Sequence, residues 1–162
     1  MTKNAGNHSL MRSVRIGEIV TGIGSEPIKT VLGSCIGLAI FDCSNNVGGL
    51  AHILLPTSQG HQGPLGKFVD TAVPELIRKI EELNGKASKL SAKIAGGANM
   101  LKSSSSNSIG ERNIESTIET LKLYQIPILA SHCGQEFGRR MTFFPGTGRV
   151  YIDVVGSQTI EI

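Results

Sequence analysis

Two runs of the chain, residues 36–41 and 47–55, are apolar at nearly every position. Between them stands Asp42-Cys43-Ser44-Asn45-Asn46, a cluster of turn formers. A strand with one wet face alternates apolar and polar residues, and these strands do not. Residues 35–56 therefore read as a β-hairpin that is apolar on both faces, and such strands are covered on both sides. Whatever this chain folds into must supply those two covers.

The remaining segments offer the material. Residues 13–21 read as a strand with Val14, Ile16 and Ile19 as apolar points, followed by a turn over 22–27 and a short extended run over 28–32. Residues 67–83 carry Val69, Val73, Leu76, Ile77 and Ile80 at helical spacing. Pro74 should sit in the first turn of that helix or kink it, and Gly85 is a C-terminal stop. Leu90, Ala92 and Ile94 alternate, which predicts a strand over 88–95 and a tight turn at Gly96-Gly97-Ala98-Asn99. Residues 102–108 hold five serines and read as a mobile loop. Ile114, Ile118 and Leu121 predict a second helix over 111–124. A strand over 128–131, a closing hairpin from 141–144 to 150–155 and an edge at 160–162 complete the pattern. The class is α+β, in mixed layers. Residues 1–12 read as a flexible polar arm and 13–162 as one domain, with no internal repeat.

Composition narrows the function. Hydrophobic residues make up 40% and charged residues 18% of the 162, which suits a packed domain and excludes a disordered chain. Aromatics are 4% and Trp is absent, so base stacking has little to work with. The net charge of +3 is spread thinly. Arg139, Arg140 and Arg149 are its sharpest cluster and read as a solvated face, not a nucleic-acid stripe. No apolar run reaches membrane-span length. Residues 1–10 lack the apolar core of a secretory signal. The three cysteines, Cys35, Cys43 and Cys133, are an odd count, and reduced thiols in the cytoplasm are expected.

One pair of these residues could carry chemistry. Facing residues in an antiparallel hairpin have numbers with a constant sum. Cys35 and His52 sum to 87, which centres the turn between Cys43 and Ser44, inside the turn-forming cluster. The two then lie opposite each other, or within one rung if the loop is longer. Directly opposed Cβ atoms are roughly 4.5–5.5 Å apart, within reach of a thiol–imidazole contact. An imidazole beside a thiol generates the nucleophilic thiolate. Gly33-Ser34-Cys35 offers a flexible turn whose backbone N–H groups could face a developing oxyanion. On spacing alone a second reading stays open, in which Cys35 is core filler and His52 a satisfied core histidine. Cys43 has no base nearby. Cys133 adjoins His132, but adjacent strand residues point to opposite faces. A zinc site from Cys35, Cys43, His52, His132 and Cys133 has no Cys-x-x-Cys spacing behind it. His61 falls in a glycine-rich loop and reads as solvated.

Thr30-Val31-Leu32-Gly33-Ser34-Cys35 and Gly48-Gly49-Leu50-Ala51-His52-Ile53-Leu54-Leu55-Pro56 resemble the chemoreceptor glutamine deamidase family CheD. The resemblance continues through Lys67-Phe68-Val69-Asp70-Thr71-Ala72-Val73, Lys93-Ile94-Ala95-Gly96-Gly97-Ala98-Asn99-Met100, Ile109-Gly110-Glu111-Arg112-Asn113 and Thr147-Gly148-Arg149-Val150. It spans about residues 13 to 155. It implies a layered α/β/β fold similar to the catalytic domain of cytotoxic necrotizing factors. It also implies hydrolysis of receptor glutamine side chains to glutamate, without metal or organic cofactor. The catalytic Cys and His match Cys35 and His52, with a Thr near Thr30 as third member. The implied partners are the cytoplasmic helices of chemoreceptors and, in some members, the phosphatase CheC. Two rival classes are a different cysteine enzyme, such as a peptidase or acyl transferase, and a non-enzymatic chemotaxis adaptor. The serine-rich 102–108 loop and the stretch 133–140 follow the family pattern loosely.

Overall fold

The computed structural model describes residues 11–102, 104 and 107–162. Its elements run β1 (Arg12–Ser13), β2 (Ile19–Ile23), β3 (Ile28–Leu32), β4 (Ile36–Asp42), β5 (Val47–Ile53), α1 (Val69–Glu82), β6 (Ser91–Gly96), α2 (Ile109–Leu123), β7 (Ile128–Cys133), β8 (Arg139–Phe144), β9 (Arg149–Asp153) and β10 (Ile160–Glu161). They form two five-stranded sheets, ordered β1-β3-β8-β9-β10 and β2-β5-β4-β6-β7. The β4–β5 hairpin is in the middle of the second sheet, every residue of both strands buried.

Its two covers are different layers. Ile36, Leu38, Ile40, Val47, Ala51 and Ile53 face one way, into a core shared with Val69, Val73, Leu76 and Ile80 of α1 and Leu121 of α2. Cys35, Ala39, Phe41 and Leu50 face the other way, toward Ile28, Leu32, Met141, Phe143, Val150 and Ile152 of the first sheet. The doubly apolar hairpin thus dictates an α+β fold of three layers: helices, second sheet, first sheet.

Local chemistry sets the boundaries. Helix α2 opens with a capping box: Ser108 accepts from the Glu111 N–H while the Glu111 carboxylate accepts from the Ser108 N–H. Pro74 lies in the second turn of α1, not the first. The strand expected over 13–21 is two strands. β1 runs parallel to β3 in the first sheet, and β2 pairs with β5 in the second. Gly17, at φ +83°, turns the chain between the sheets, a conformation glycine adopts without penalty. Of the arm expected over 1–12, residues 1–10 lie outside the described residues, and Arg12 is already in β1. The serine-rich loop lies partly outside them too, at Ser103, Ser105 and Ser106. The expected strand at 128–131 continues to Cys133, parallel to β6.

The hairpin turn is pinned by one carboxylate. Asp42, 1% exposed, accepts from the N–H groups of Ser44 and Asn45, from the Ser44 hydroxyl and the Asn45 side chain, and from the Lys86 N–H across the α1–β6 connection. Asn46 closes the loop in the left-handed region at φ 59°. These hydrogen bonds hold the Asp42 carboxyl down at about 2, against an ordinary 3.8, although burial alone would raise it.

Asp42→Ala leaves three backbone N–H groups without their acceptor and should cost about 2–4 kcal/mol, read from the urea midpoint. Because the folded pKa lies below the unfolded one, Asp42's contribution is present in full above pH 3.8 and fades as pH falls through about 2. The stability gap between wild type and variant should therefore narrow over that acid window. A gap that stays constant to pH 2 would mean that the charge of Asp42 is not what pins the turn.

Candidate active site

His52 pairs with Gly37 and Ile36 with Ile53, so the hairpin sum is 89. The direct opposition of Cys35 and His52 is thereby corrected: the residue opposite His52 is Gly37, two positions beyond Cys35. The loop Asp42 organises has four residues between paired positions Asp42 and Val47, which moves the centre of the turn to between Ser44 and Asn45. The face is as expected, because a change of two in the sum leaves the parity intact. Cys35 sits on the bend that enters β4, two residues before Gly37, and is diagonal to His52 on the inter-sheet side. Gly37 carries no side chain between them; a Cβ there would meet Met141 Sδ and Leu32 Cδ1 at 2.7 and 2.8 Å.

Thr30 of β3 reaches His52 from the opposite sheet. Its Oγ1 lies 2.7 Å from His52 Nδ1 and donates to the Val14 carbonyl at 2.8 Å. A hydroxyl has one proton to donate. With that proton on Val14, the short contact to Nδ1 requires Nδ1 to carry a hydrogen and donate it to Oγ1. The same N–H leans toward the Val14 carbonyl at 3.4 Å. The network therefore selects the Nδ1–H tautomer and leaves the Nε2 lone pair free. Thr30 and His52 are 4% and 5% exposed.

The Gly33–Ser34–Cys35 bend is held entirely by its carbonyls. Ala98 N–H donates to Gly33, Asn113 Nδ2 to Ser34 and Gly97 N–H to Cys35, at 2.9, 3.0 and 2.9 Å. None of the bend's own three N–H groups donates to a described residue. The bend needs glycine at Gly96, which stands at φ +104° and where a Cβ would collide with the Cys35 carbonyl. Asn113 is the residue that the sequence alone did not single out. It is fully buried on α2 and bridges the two halves of the site, donating through Nδ2 to Ser34 and to Leu54 at 3.0 Å each. Its Oδ1 is buried with no hydrogen-bond partner among the described residues.

Burial acts on Cys35 and His52 alike, toward neutrality. It raises the Cys35 thiol above its ordinary 9.0 and lowers His52 below its ordinary 6.5, the Val14 carbonyl opposing only in part. The resting pair is thiol and neutral imidazole. His52 and Thr30 wall an open cavity of about 630 Å³.

The other residues weighed lie elsewhere. Cys43 is exposed in the hairpin turn, and Cys133 is on β7 with burial raising its thiol to about 11. His132 accepts at Nδ1 from the Arg139 guanidinium at 2.7 Å. Arg139 is not part of a solvated face: it is 2% exposed and donates to the carbonyls of His132, Gly134 and Phe137, tying down the 133–138 connection. Among the described residues, no three His, Cys, Asp or Glu side chains cluster as metal ligands. No described helix is long and apolar enough to cross a membrane.

Residues 54–154 match the family described as CheD chemotactic sensory transduction. A protein of Clostridium botulinum strain Hall, named probable chemoreceptor glutamine deamidase CheD, is 40% identical over 161 residues, covering 94% of this chain and 99% of its own. A protein of the same name from Methanococcus maripaludis strain C5 is 37% identical over 146 residues, covering 88% of this chain and 94% of its own. With matches of this extent, the chain belongs to the CheD family.

Proposed function

We propose that this protein is a cysteine-dependent deamidase, converting glutamine side chains on the cytoplasmic helices of chemoreceptors to glutamate. The observation that carries the reading is the Thr30–His52 hydrogen bond, which leaves a basic Nε2 on the face shared with Cys35. Family membership and the names of the relatives supply the substrate. The protein acts in the cytoplasm and is a candidate partner for CheC.

In the reaction, His52 Nε2 takes the Cys35 thiol proton and the thiolate attacks the carboxamide carbon. The carbonyl oxygen becomes an oxyanion, received by the free N–H groups of the bend, that of Cys35 with those of Gly33 and Ser34. Imidazolium gives its proton to the departing nitrogen, ammonia leaves, and a thioester remains. Water then enters. His52 takes a proton from it, the hydroxide adds to the thioester, and the proton returns to the Cys35 sulfur as the glutamate departs. Thr30 holds the imidazole through Nδ1, and Asn113 fixes the backbone on either side.

With a cognate receptor fragment, the wild-type protein should release ammonia and change Gln-containing peptides to Glu in mass analysis. Cys35→Ser should lower this by about 10³-fold or more while the fold persists. Cys43→Ser and Cys133→Ser should stay near wild type. Cleavage of the backbone instead of ammonia release would make the protein a peptidase. No turnover at all would favour the adaptor.

The pH dependence of kcat/KM should be broad. The productive state holds one proton on the Cys35–His52 pair. Below His52's depressed pKa a second proton silences the base, so the acid limb falls below pH 6.5. Above Cys35's raised pKa the proton needed by the leaving nitrogen is gone, so the alkaline limb falls above pH 9.0. An acid limb centred above 6.5 would contradict a buried neutral imidazole.

Thr30→Val keeps shape and removes the hydroxyl. It should cut kcat by roughly 10–100-fold, part of the 10²–10⁴ that general acid–base catalysis supplies, with little change in KM. Imidazole ¹⁵N shifts would report the freed Nδ1–H directly. Wild-type kcat in a folded Thr30→Val protein would remove the side chain from the site.

A further inference from the structure

The cavity beside His52 opens where residues 14–16 leave β1 and cross to the second sheet, exposing the flank of β3. Val14, Ile16 and Val31 give it an apolar lining, and Ile16 and Val31 are more than half exposed. The charged residues around it are Arg15, Lys29 and Arg140, and no carboxylate is among them. Nearby acids are otherwise engaged. Glu18 pairs with Arg15 at 3.7 Å. Asp153 is the register partner of Arg140 on β9, yet it accepts from Thr159. Lys29 and Arg140 have no ion-pair partner among the described residues.

A glutamine carboxamide is neutral, so cations at the rim do nothing for the reacting group itself. They act on what surrounds it. At about 630 Å³ the cavity falls within the roughly 300–1,000 Å³ of ligand sites, larger than one side chain needs. Resting on the deamidase reading above, we propose that this cavity is the substrate-docking surface and that it takes an acidic protein segment. Cys35 is not among the residues that line the cavity, so the cavity holds the segment that flanks the glutamine, beside the Thr30–His52 pair: apolar neighbours rest on Ile16 and Val31, and flanking carboxylates meet Lys29 and Arg140. Electrostatic attraction then selects which glutamines of a protein are presented, before any chemistry occurs.

The test uses three peptides of one sequence around a central glutamine, flanked by Glu, Ala or Lys, with ammonia release read as kcat/KM at low and high salt. Wild type should favour the Glu-flanked over the Lys-flanked peptide by about tenfold or more at low salt, with the ratio shrinking as salt rises. The Lys29→Glu/Arg140→Glu variant should reverse the order. If that variant does not fold, Lys29→Gln/Arg140→Gln should at least abolish the preference. Equal rates on all three peptides, or an unchanged preference in a folded variant, overturn the docking proposal and leave the deamidase reading standing. No ammonia from any peptide or from a receptor fragment overturns both.

Discussion

Thr30 has a single hydroxyl proton, and its donation to the Val14 carbonyl decides the state of His52 in the other sheet. Had that proton gone to Nδ1, the imidazole would carry its hydrogen on Nε2 and could not accept a proton from Cys35. The bond is also a strut between layers, since Thr30 belongs to β3 and His52 to β5. Val14 enters this arrangement because Gly17 turns the chain from one sheet into the other just beyond it. The split of the N-terminal strand therefore serves the site as well as the fold.

The Cys35 side of the candidate site is organised by backbone instead. The Gly33–Cys35 bend is clamped by two N–H groups from the Gly96–Ala98 turn and by the Asn113 amide. Helix α2 can come this close only because Gly110 lies against the Gly97 carbonyl, where any Cβ would collide. Fixing the Gly33 and Ser34 carbonyls orients the two peptide planes that carry the Ser34 and Cys35 N–H groups. Those two N–H groups are thus pre-aimed without donating to a described residue, which is what an oxyanion site requires.

Much of this was legible in the residues. Absence of alternation in 36–41 and 47–55 announced the doubly covered hairpin. Parity alone put Cys35 and His52 on one face. The rung was misplaced because the turn's length depends on Asp42, whose hold on Lys86 spans 44 residues that no local pattern reveals. The bridging role of Asn113 was hidden for the same reason, its partners being 79 residues away at Ser34 and 59 at Leu54. Arg139 misled because charge clusters are usually solvated, whereas here three backbone carbonyls accept from the two terminal nitrogens of a buried guanidinium. The role of Gly17 as a crossing between sheets needed the sheets themselves, since Val14, Ile16 and Ile19 read equally well as one strand.

The choice of acceptor for the imidazole bears on the timing of proton transfer. A carboxylate beside Nδ1 would stabilise imidazolium at rest and raise His52. A hydroxyl and a carbonyl are neutral acceptors, too weak to offset burial, and His52 stays low and uncharged. Cys35, buried in the core cluster between the sheets, likewise keeps its proton. A neutral pair resists adventitious oxidation and alkylation, because the thiolate is scarce until it is needed. In the proposed reaction the proton moves as the thiolate attacks, and charge appears on the imidazole only then. The Nδ1–H to Thr30 contact strengthens at that moment, being charge-assisted where it was neutral before. Its stabilisation thus falls on the transition state more than on the resting enzyme, which is where a catalytic interaction accelerates the chemical step.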